Sequence, residues 1–509
     1  MLILCLFRIR GVFMEEKLFL MIESSFKSTI TYFNNKEEIN SKDVEKLIYY
    51  FNKVFNPLFP YKFDFILKNR NGLSILLRKL NYNTSIKSVF KYMEIKAMER
   101  GEYKYSYMIS QFRKYLSTIR SNHYATDIFP SKLEETIVYE SFNGKSFTDS
   151  PRMLYLYLSE NLPNYEHIVV TDNKELDKKL RALNIDTVEK NSKQYFKIYQ
   201  KAKVWIANTR LSPQIEKKDN QLYIQTWHGT PLKKLANDQT VISIPDVTLE
   251  EYLYGFNKET SRWDFLISPS ETATERFKSA FNLKEDQMLT LGYPRNDDLV
   301  QLNDEKYIHQ LKQKYDIPSD KKVILYAPTW RDNDRTDIGK YNFKLKLDLD
   351  AFSKELSNEY VLLIRAHYLI SEHLNLDDYK NVYDLSDAND INELFLMSDV
   401  LITDYSSVYF DYANLRRPIL FFAYDKDEYA NDIRGFYLPY ESDLPGPVFE
   451  TSEALIDYIK SMQYVDIPQS DTYKTFNHKY NQLDDGEATK RVSEKIIRTL
   501  DKEKEFHEQ

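Results

Sequence analysis

At 509 residues the chain is long enough for two or three domains, and 42% apolar residues supply ordinary hydrophobic cores. A net charge of −7 gives no reason to expect a nucleic-acid partner, and a single cysteine, Cys5, excludes an intrachain disulfide framework and cysteine-rich zinc sites while fitting a reducing cytosol. Only 11 glycines argue against low-complexity design and against a Gly-rich phosphate loop, so a phosphate would have to be held by other means.

The stretch Met1–Phe7 is apolar, but Arg8 and Arg10 interrupt it long before it could span a bilayer. It lacks the preceding charge and the small-residue cleavage site of a secretory signal. Met14, followed by Glu15, Glu16 and Lys17, is an alternative start. No other run approaches about 18 uncharged apolar residues, so no transmembrane helix is expected and the chain reads as soluble or peripheral. Residues 1–130 read as mainly helical. Ser41–Phe55 opens with an N-cap residue and sets Val44, Ile48, Phe51 and Phe55 at helical spacing, and Ser85–Arg100 behaves alike. Between Tyr61 and Tyr124 basic residues outnumber acidic ones thirteen to four, with Tyr and Phe interleaved. Two readings stand: a face for an anionic membrane surface or polyanion, or a solvated helical bundle.

The texture changes near Glu134. Short apolar, β-rich runs then alternate with helical stretches: Thr136–Phe142, His167–Asp172, Val204–Thr209, Leu222–Trp227, Asp264–Ser270 and Met288–Pro294. A helix is expected to start near Pro151 after the Gly144 turn. Beyond a charged helix at Asp304–Asp316 a second set begins, with Val323–Trp330, Tyr360–His367, Asp399–Ser407 and Pro418–Asp425, and the tail Gly486–Leu500 is one more amphipathic helix. The expectation is an α/β protein with two parallel sheets flanked by helices. Its boundaries are a helical region at 1–130 and Rossmann-like units at 131–300 and 301–509.

In such sheets ligands lie beyond the carboxyl ends of the strands. His228, in WHGTP, follows a strand; Gly229 allows a sharp turn and Pro231 is placed to open the next helix. It reads as a general base or as a packing or capping histidine. His367 and Arg365 end the run VLLIRAH and either face phosphate oxygens or, for Arg365, pair with a carboxylate. Ser406 and Ser407 follow Asp404 and Tyr405. If a helix starts there, two hydroxyls and free amides converge on an anion, the alternative being a plain serine cap. Arg331, in PTWRD, is placed to neutralise a leaving phosphate or to pair with Asp332 or Asp334. Asn143–Lys145 and Pro294–Asp297 are turn motifs that read as structural when taken alone. No metal-ligand spacing is present, so no cofactor is assigned; metal dependence stays open, with Mg²⁺ the candidate although the sequence does not indicate it.

Taken in order, YESFNGKSFTDSPR, QTWHGTPLKKL, GYPRND, YAPTWRD, RAH, SDVLITDYSSVYFDYANLRRPILFF and DDGEATKR resemble the CDP-glycerol glycerophosphotransferase family, which polymerises or primes teichoic acids, from about Glu134 to Leu500. The resemblance implies a GT-B-like fold: two Rossmann-like domains facing a cleft, with a C-terminal helix crossing back. It implies that His228 is the base, and that His367, Arg331, Ser406 and Ser407 hold the donor diphosphate. Thr329, Arg365, Asp404 and Asp411 fall on the donor side, with Asp404 and Asp411 either orienting neighbours or touching the donor polyol. Asn143, Lys145, Gly229, Thr230 and Arg295 fall on the acceptor side. The implied partners are CDP-glycerol, or CDP-ribitol in the alternative, and a polyprenyl-diphosphate-linked acceptor at the cytoplasmic face of an anionic membrane. A sugar-transferring GT-B enzyme and a catalytically inert scaffold are the rival readings.

Overall fold

The computed structural model describes residues 132–508 apart from 243–247, 330–334, 337–339, 342–344, 367–375, 377, 427–434 and 439–442. The readings of Met1–Phe7, Met14, Ser41–Phe55, Ser85–Arg100 and the basic stretch Tyr61–Tyr124 lie outside the described residues, as do Arg331 and His367.

Two parallel sheets organise the chain. The first is built from β1 (Glu134–Glu140), β2 (Glu166–Thr171), β3 (Asp186–Glu189), β4 (Ala202–Ala207), β5 (Leu222–Gln225), β6 (Phe265–Ser268) and β7 (Met288–Thr290), in the order β3-β2-β1-β4-β5-β6-β7. The second uses β8 (Lys322–Ala327), β11 (Tyr360–Ile364), β12 (Val382–Asp384), β13 (Val400–Thr403), β14 (Ile419–Phe422) and β15 (Val448–Phe449), in the order β12-β11-β8-β13-β14-β15. Two short strands, β9 (Arg335–Thr336) and β10 (Lys340–Tyr341), form a separate antiparallel pair. Central strands covered on both faces need side chains that are apolar on both, which is why VILYA, YVLLI, VLIT and ILFF run without alternation. In each sheet the strand order reverses once, between β1 and β4 and between β8 and β13. Those reversals are the crevices where such sheets receive ligands.

The strands stop several residues short of the expected apolar runs: β5 ends at Gln225, β8 at Ala327, β11 at Ile364 and β13 at Thr403. The residues beyond them form the loops of the site. A helix does begin near Pro151, at Asp149, spanning Asp149–Asn161. No helix opens at Pro231. Instead the extended segment after His228 docks on the second lobe: the Lys234 amide donates to the Gly435 carbonyl (3.0 Å) and the Tyr437 amide to that of Leu232 (2.9 Å). Proline has no N–H of its own to give, so the pairing starts beyond it.

The last helix, Ala488–Glu508, returns to the first lobe. Val492, Ile496 and Leu500 share one core with Ile137, Tyr139, Leu154 and Ile206. Its first turn is capped from outside, because the buried Asp297 carboxylate accepts from the amides of Ala488 (3.0 Å) and Thr489 (2.7 Å). Two Rossmann-ordered lobes and a helix that crosses back make this a GT-B-like α/β fold.

Candidate active site

The first lobe brings the ends of β1, β4 and β5 together. After β5 the chain turns at Trp227, whose φ of 53° is left-handed, an uncommon state for a bulky residue that costs about 1–3 kcal/mol. An aromatic cage holds it there: Phe281 at 4.7 Å, Trp263 at 6.3 Å and Phe256 at 6.4 Å between ring centroids. The turn presents His228, whose ring stacks on Trp227 at 4.6 Å. His228 Nδ1 lies 2.6 Å from the Asn208 carbonyl oxygen at the end of β4. A carbonyl only accepts, so Nδ1 carries the proton and Nε2 keeps its lone pair. The residue is exposed on its cleft side. The protein packed around the rest of the ring desolvates the imidazolium and holds the pKa below the ordinary 6.5, against the raising influence of the Asn208 bond and Asp149, with Arg295 also lowering it. A neutral imidazole whose Nε2 makes no hydrogen bond among the described residues is equipped to take a proton near neutral pH.

Opposite His228 stands the loop after β1. Phe142, Asn143 and Gly144 have φ of 45°, 61° and 79°, three left-handed residues in succession. The Phe142 amide donates to Asn208 Oδ1 (2.7 Å), so one asparagine braces both the loop and the histidine. Asn143 accepts from Lys190 Nζ (2.8 Å), and the same ammonium bonds the fully buried Glu140 (2.8 Å), which also accepts from the hydroxyls of Tyr195 and Tyr199. Lys145 is exposed at the rim, and Thr230 is buried beneath the turn.

The second lobe meets this wall closely. A Cβ placed on Gly229 would come within 2.8 Å of Ser407 Oγ, so the glycine is what lets the WHGT turn approach the two serines. Asp404 is buried at the end of β13, and its Oδ1 accepts from the amides of Thr329 (2.8 Å) and Tyr405 (2.7 Å), tying the loops after β8 and β13 together. A helix does begin after the serines, but it spans only Val408–Tyr412. Ser406 Oγ accepts weakly from the Val408 amide (3.4 Å), and Ser407 makes no side-chain cap among the described residues. What this segment offers to an anion, were one to bind, is hydroxyls and a few amides rather than the dipole of a long helix.

Two expected contacts are committed elsewhere. Arg365 Nη1 donates to the carbonyls of Leu385 (3.1 Å), Ser386 and Ala388 (2.6 Å), so it clasps a turn rather than a carboxylate. Arg295, expected on the acceptor side, is buried; it bonds Asp411 (3.0 Å), faces Asp149 (3.6 Å) and lies over the Tyr293 ring (4.0 Å). Asp411 also accepts from Asn296 (3.1 Å), whose amide reaches Asp484 at 2.7 Å. Sequence reasoning did not single out Asn208, Asp149 or Asp484. Asn208 carried one signal, a lone polar residue ending the apolar run VWIA. Among the described residues no group of three or more His, Cys, Asp or Glu side chains is gathered to hold a metal ion, and no helix is long and apolar enough to cross a membrane.

The family model described as CDP-Glycerol:Poly(glycerophosphate) glycerophosphotransferase matches residues 122–498. A teichoic acid poly(glycerol phosphate) polymerase of Staphylococcus epidermidis is 41% identical over 466 residues, which cover 88% of this chain and 64% of that protein. The chain thus spans just under two thirds of that relative's length. A protein of the same description from Bacillus spizizenii is 43% identical over 370 residues, 72% of this chain and 92% of its own. A solved structure of the wall teichoic acid polymerase TagF, from a variant soaked with CDPG, superposes with a TM-score of 0.70 at 41% identity, covering 78% of this chain and 99% of that one.

Proposed function

Because the chain belongs to the CDP-glycerol:poly(glycerophosphate) glycerophosphotransferase family, we propose that it moves glycerol phosphate from CDP-glycerol to a hydroxyl of a lipid-linked acceptor or growing polymer, releasing CMP, in the synthesis of teichoic acid or a related surface polymer. The observation that carries this reading is the His228 pair: Nδ1–H given to the Asn208 carbonyl, Nε2 without a hydrogen bond among the described residues, and the Ser407 hydroxyl next to Gly229 from the opposite lobe.

In this reading the acceptor hydroxyl lies on the first-lobe side. His228 Nε2 takes its proton as the oxygen attacks the donor's β-phosphorus. The bond from that phosphorus to the bridging oxygen breaks, and the electron pair leaves with CMP. Ser406 and Ser407, with the amides around them, hold the diphosphate, and Asp404 keeps the loops of Thr329 and Tyr405 in register to receive it. Arg331 and His367 are assigned by their motifs to charge neutralisation on the leaving group. The division into an acceptor lobe at 131–300 and a donor lobe at 301–509 follows the same logic. The basic stretch Tyr61–Tyr124 suits a protein working at the cytoplasmic face of an anionic membrane, where each nearby Lys or Arg contributes roughly 1 kcal/mol. Its acceptor there would be a polyprenyl-diphosphate-linked chain.

The test is CMP release from CDP-glycerol and from CDP-ribitol in parallel, with a lipid-linked polyol-phosphate acceptor, for the wild type and His228→Ala. The expected result is acceptor-dependent CMP release from CDP-glycerol that falls by about 10³-fold or more in the variant, the scale of losing a proton-transfer group together with its positioning. Preference for CDP-ribitol would change the transferred unit. No CMP from either donor with a competent acceptor would overturn the reading in favour of sugar transfer or a scaffold.

A further inference from the structure

One buried charged group spans the two lobes and borders the base. Arg295, in the turn Pro294–Asn296, is 5% exposed. Its Nη2 bonds Asp411 Oδ1 on the helix Val408–Tyr412 of the other lobe at 3.0 Å. Its Nη1 stands 3.6 Å from Asp149 Oδ2, and neither Nη1 nor Nε makes a hydrogen bond among the described residues. Asp411 is therefore the partner that fixes this guanidinium. A buried arginine left without its carboxylate is an uncompensated charge, so the pair also decides where the arginine's field points.

That field reaches His228 by two routes. The first is electrostatic: among the described residues Asp149 and Arg295 are the charges acting on the imidazole, with opposite signs. The second is mechanical. The Arg295 guanidinium lies 4.0 Å from the Tyr293 ring centroid, and the Tyr293 hydroxyl donates to the carbonyl of Gly229, the residue next to His228, at 3.2 Å. A further tie runs from the donor lobe, where Asn392 Nδ2 donates to the Arg295 carbonyl at 2.6 Å.

We infer that Asp411 is a positioning residue for the base rather than a donor ligand: from the second lobe it holds Arg295 against Tyr293 and Asp149, and through that joint it sets the placement of His228 and the charge around it. This rests on His228 being the base proposed above. It also gives the cleft a coupling device, since the residue that fixes the guanidinium sits on the short helix that begins directly after Ser406 and Ser407. A shift of the serine-bearing segment is felt at the base.

The groups facing this joint are Asp149 from the helix Asp149–Asn161, Tyr293 and Arg295 from the turn after β7, Asp411, and Asp484 from the segment before the last helix. Burial pushes the Asp484 carboxyl up to about 7, so activity alone would mix its titration with that of His228. The titration is better read at His228 itself. The chain has 8 histidines, which makes ¹⁵N-histidine NMR of the full chain tractable, with His228 assigned by its loss in His228→Gln.

The expected result is that Asp411→Asn lowers the His228 pKa further, because the amide leaves the Arg295 charge balanced by Asp149 alone, whereas Arg295→Gln raises it. With CDP-glycerol, Asp411→Asn should lose roughly ten- to a hundredfold in kcat with the donor KM nearly unchanged, the scale of a misplaced base. Simple loosening of the site would hydrate His228 and move both variants upward toward 6.5, and that outcome would overturn the inference. An unmoved His228 titration with a raised donor KM would overturn it too, making Asp411 a donor ligand. The NMR arm reads the joint even where no CMP is released, so failure of the joint and failure of the proposed reaction are told apart.

Discussion

At the scale of single residues the site depends on which atoms accept. Asn208 spends its backbone oxygen on His228 and its side-chain oxygen on the Phe142 amide. Asn208→Ala keeps the first bond and removes the second, leaving a half-buried amide unsatisfied at a cost of about 1–3 kcal/mol. The loop of left-handed residues should relax away from the base, so kcat falls while the donor KM holds, and Asn208→Asp, which still accepts, should recover much of the loss in steady-state kinetics. A rise in donor KM alone would contradict this. His228, Asp404, Ser406 and Ser407 were legible in the sequence because polar side chains gather where apolar strands end. Asn208 was not, because its partners, the His228 ring and the Phe142 amide, lie 20 and 66 residues away and no spacing rule reaches them. Arg295 misled for a related reason. An arginine in a polar turn reads as exposed, and only the fold supplies the two carboxylates that bury it.

At the scale of elements the central strands and the edge strand β7 were plain, and the other three edges were not. β3, β12 and β15 carry DTVE, VYD and VF, too short or too polar for an apolar run, and all three lie at sheet edges. Edge strands bury less and are kept short and charged to discourage further pairing, so the pattern that reveals a strand is weakest there. Two glycines make the opposite point about elements under constraint. Gly292, after β7, has a φ of 88°, and a Cβ there would overlap the Leu483 carbonyl of the segment leading to the last helix. Gly255, inside the helix Leu249–Thr260, has nothing within 4 Å of its Cβ position. Gly292→Ala should destabilise by roughly 1–3 kcal/mol or more, while Gly255→Ala should stabilise by about 0.4–1 kcal/mol. Urea unfolding of the two variants side by side checks the signs, and equal effects would refute the contrast.

At the scale of the whole molecule the lobes are fastened by buried polar groups as well as apolar packing. Asp484 accepts from the Tyr293 amide (2.7 Å), from Asn296 (2.7 Å) and from Asn414 of the second lobe (3.3 Å). Burial nevertheless raises its pKa from 3.8 to about 7 in the folded state. The folded chain thus binds that proton more tightly than the unfolded chain. The stability it contributes is fully present below about pH 4 and is lost as pH rises through about 7. The melting temperature of the wild type should therefore fall relative to Asp484→Asn as pH rises across that window, and parallel curves would show that the carboxylate does not titrate there. The two-lobed arrangement was legible from the alternation of strand and helix and from motifs shared with one family. The joint between the lobes was not, since Asp149, Arg295, Asp411 and Asp484 meet only once both sheets are in place.

The helix Ala488–Glu508 has a bearing on how the protein is made. Val492, Ile496 and Leu500 complete a core whose other members, Ile137, Tyr139, Leu154 and Ile206, are translated first. Synthesis runs from the amino end, so the earlier lobe must keep an apolar furrow uncovered while every strand of the later lobe is still being added. During that interval the nascent chain is an aggregation hazard and a natural client for a chaperone that shields apolar surface.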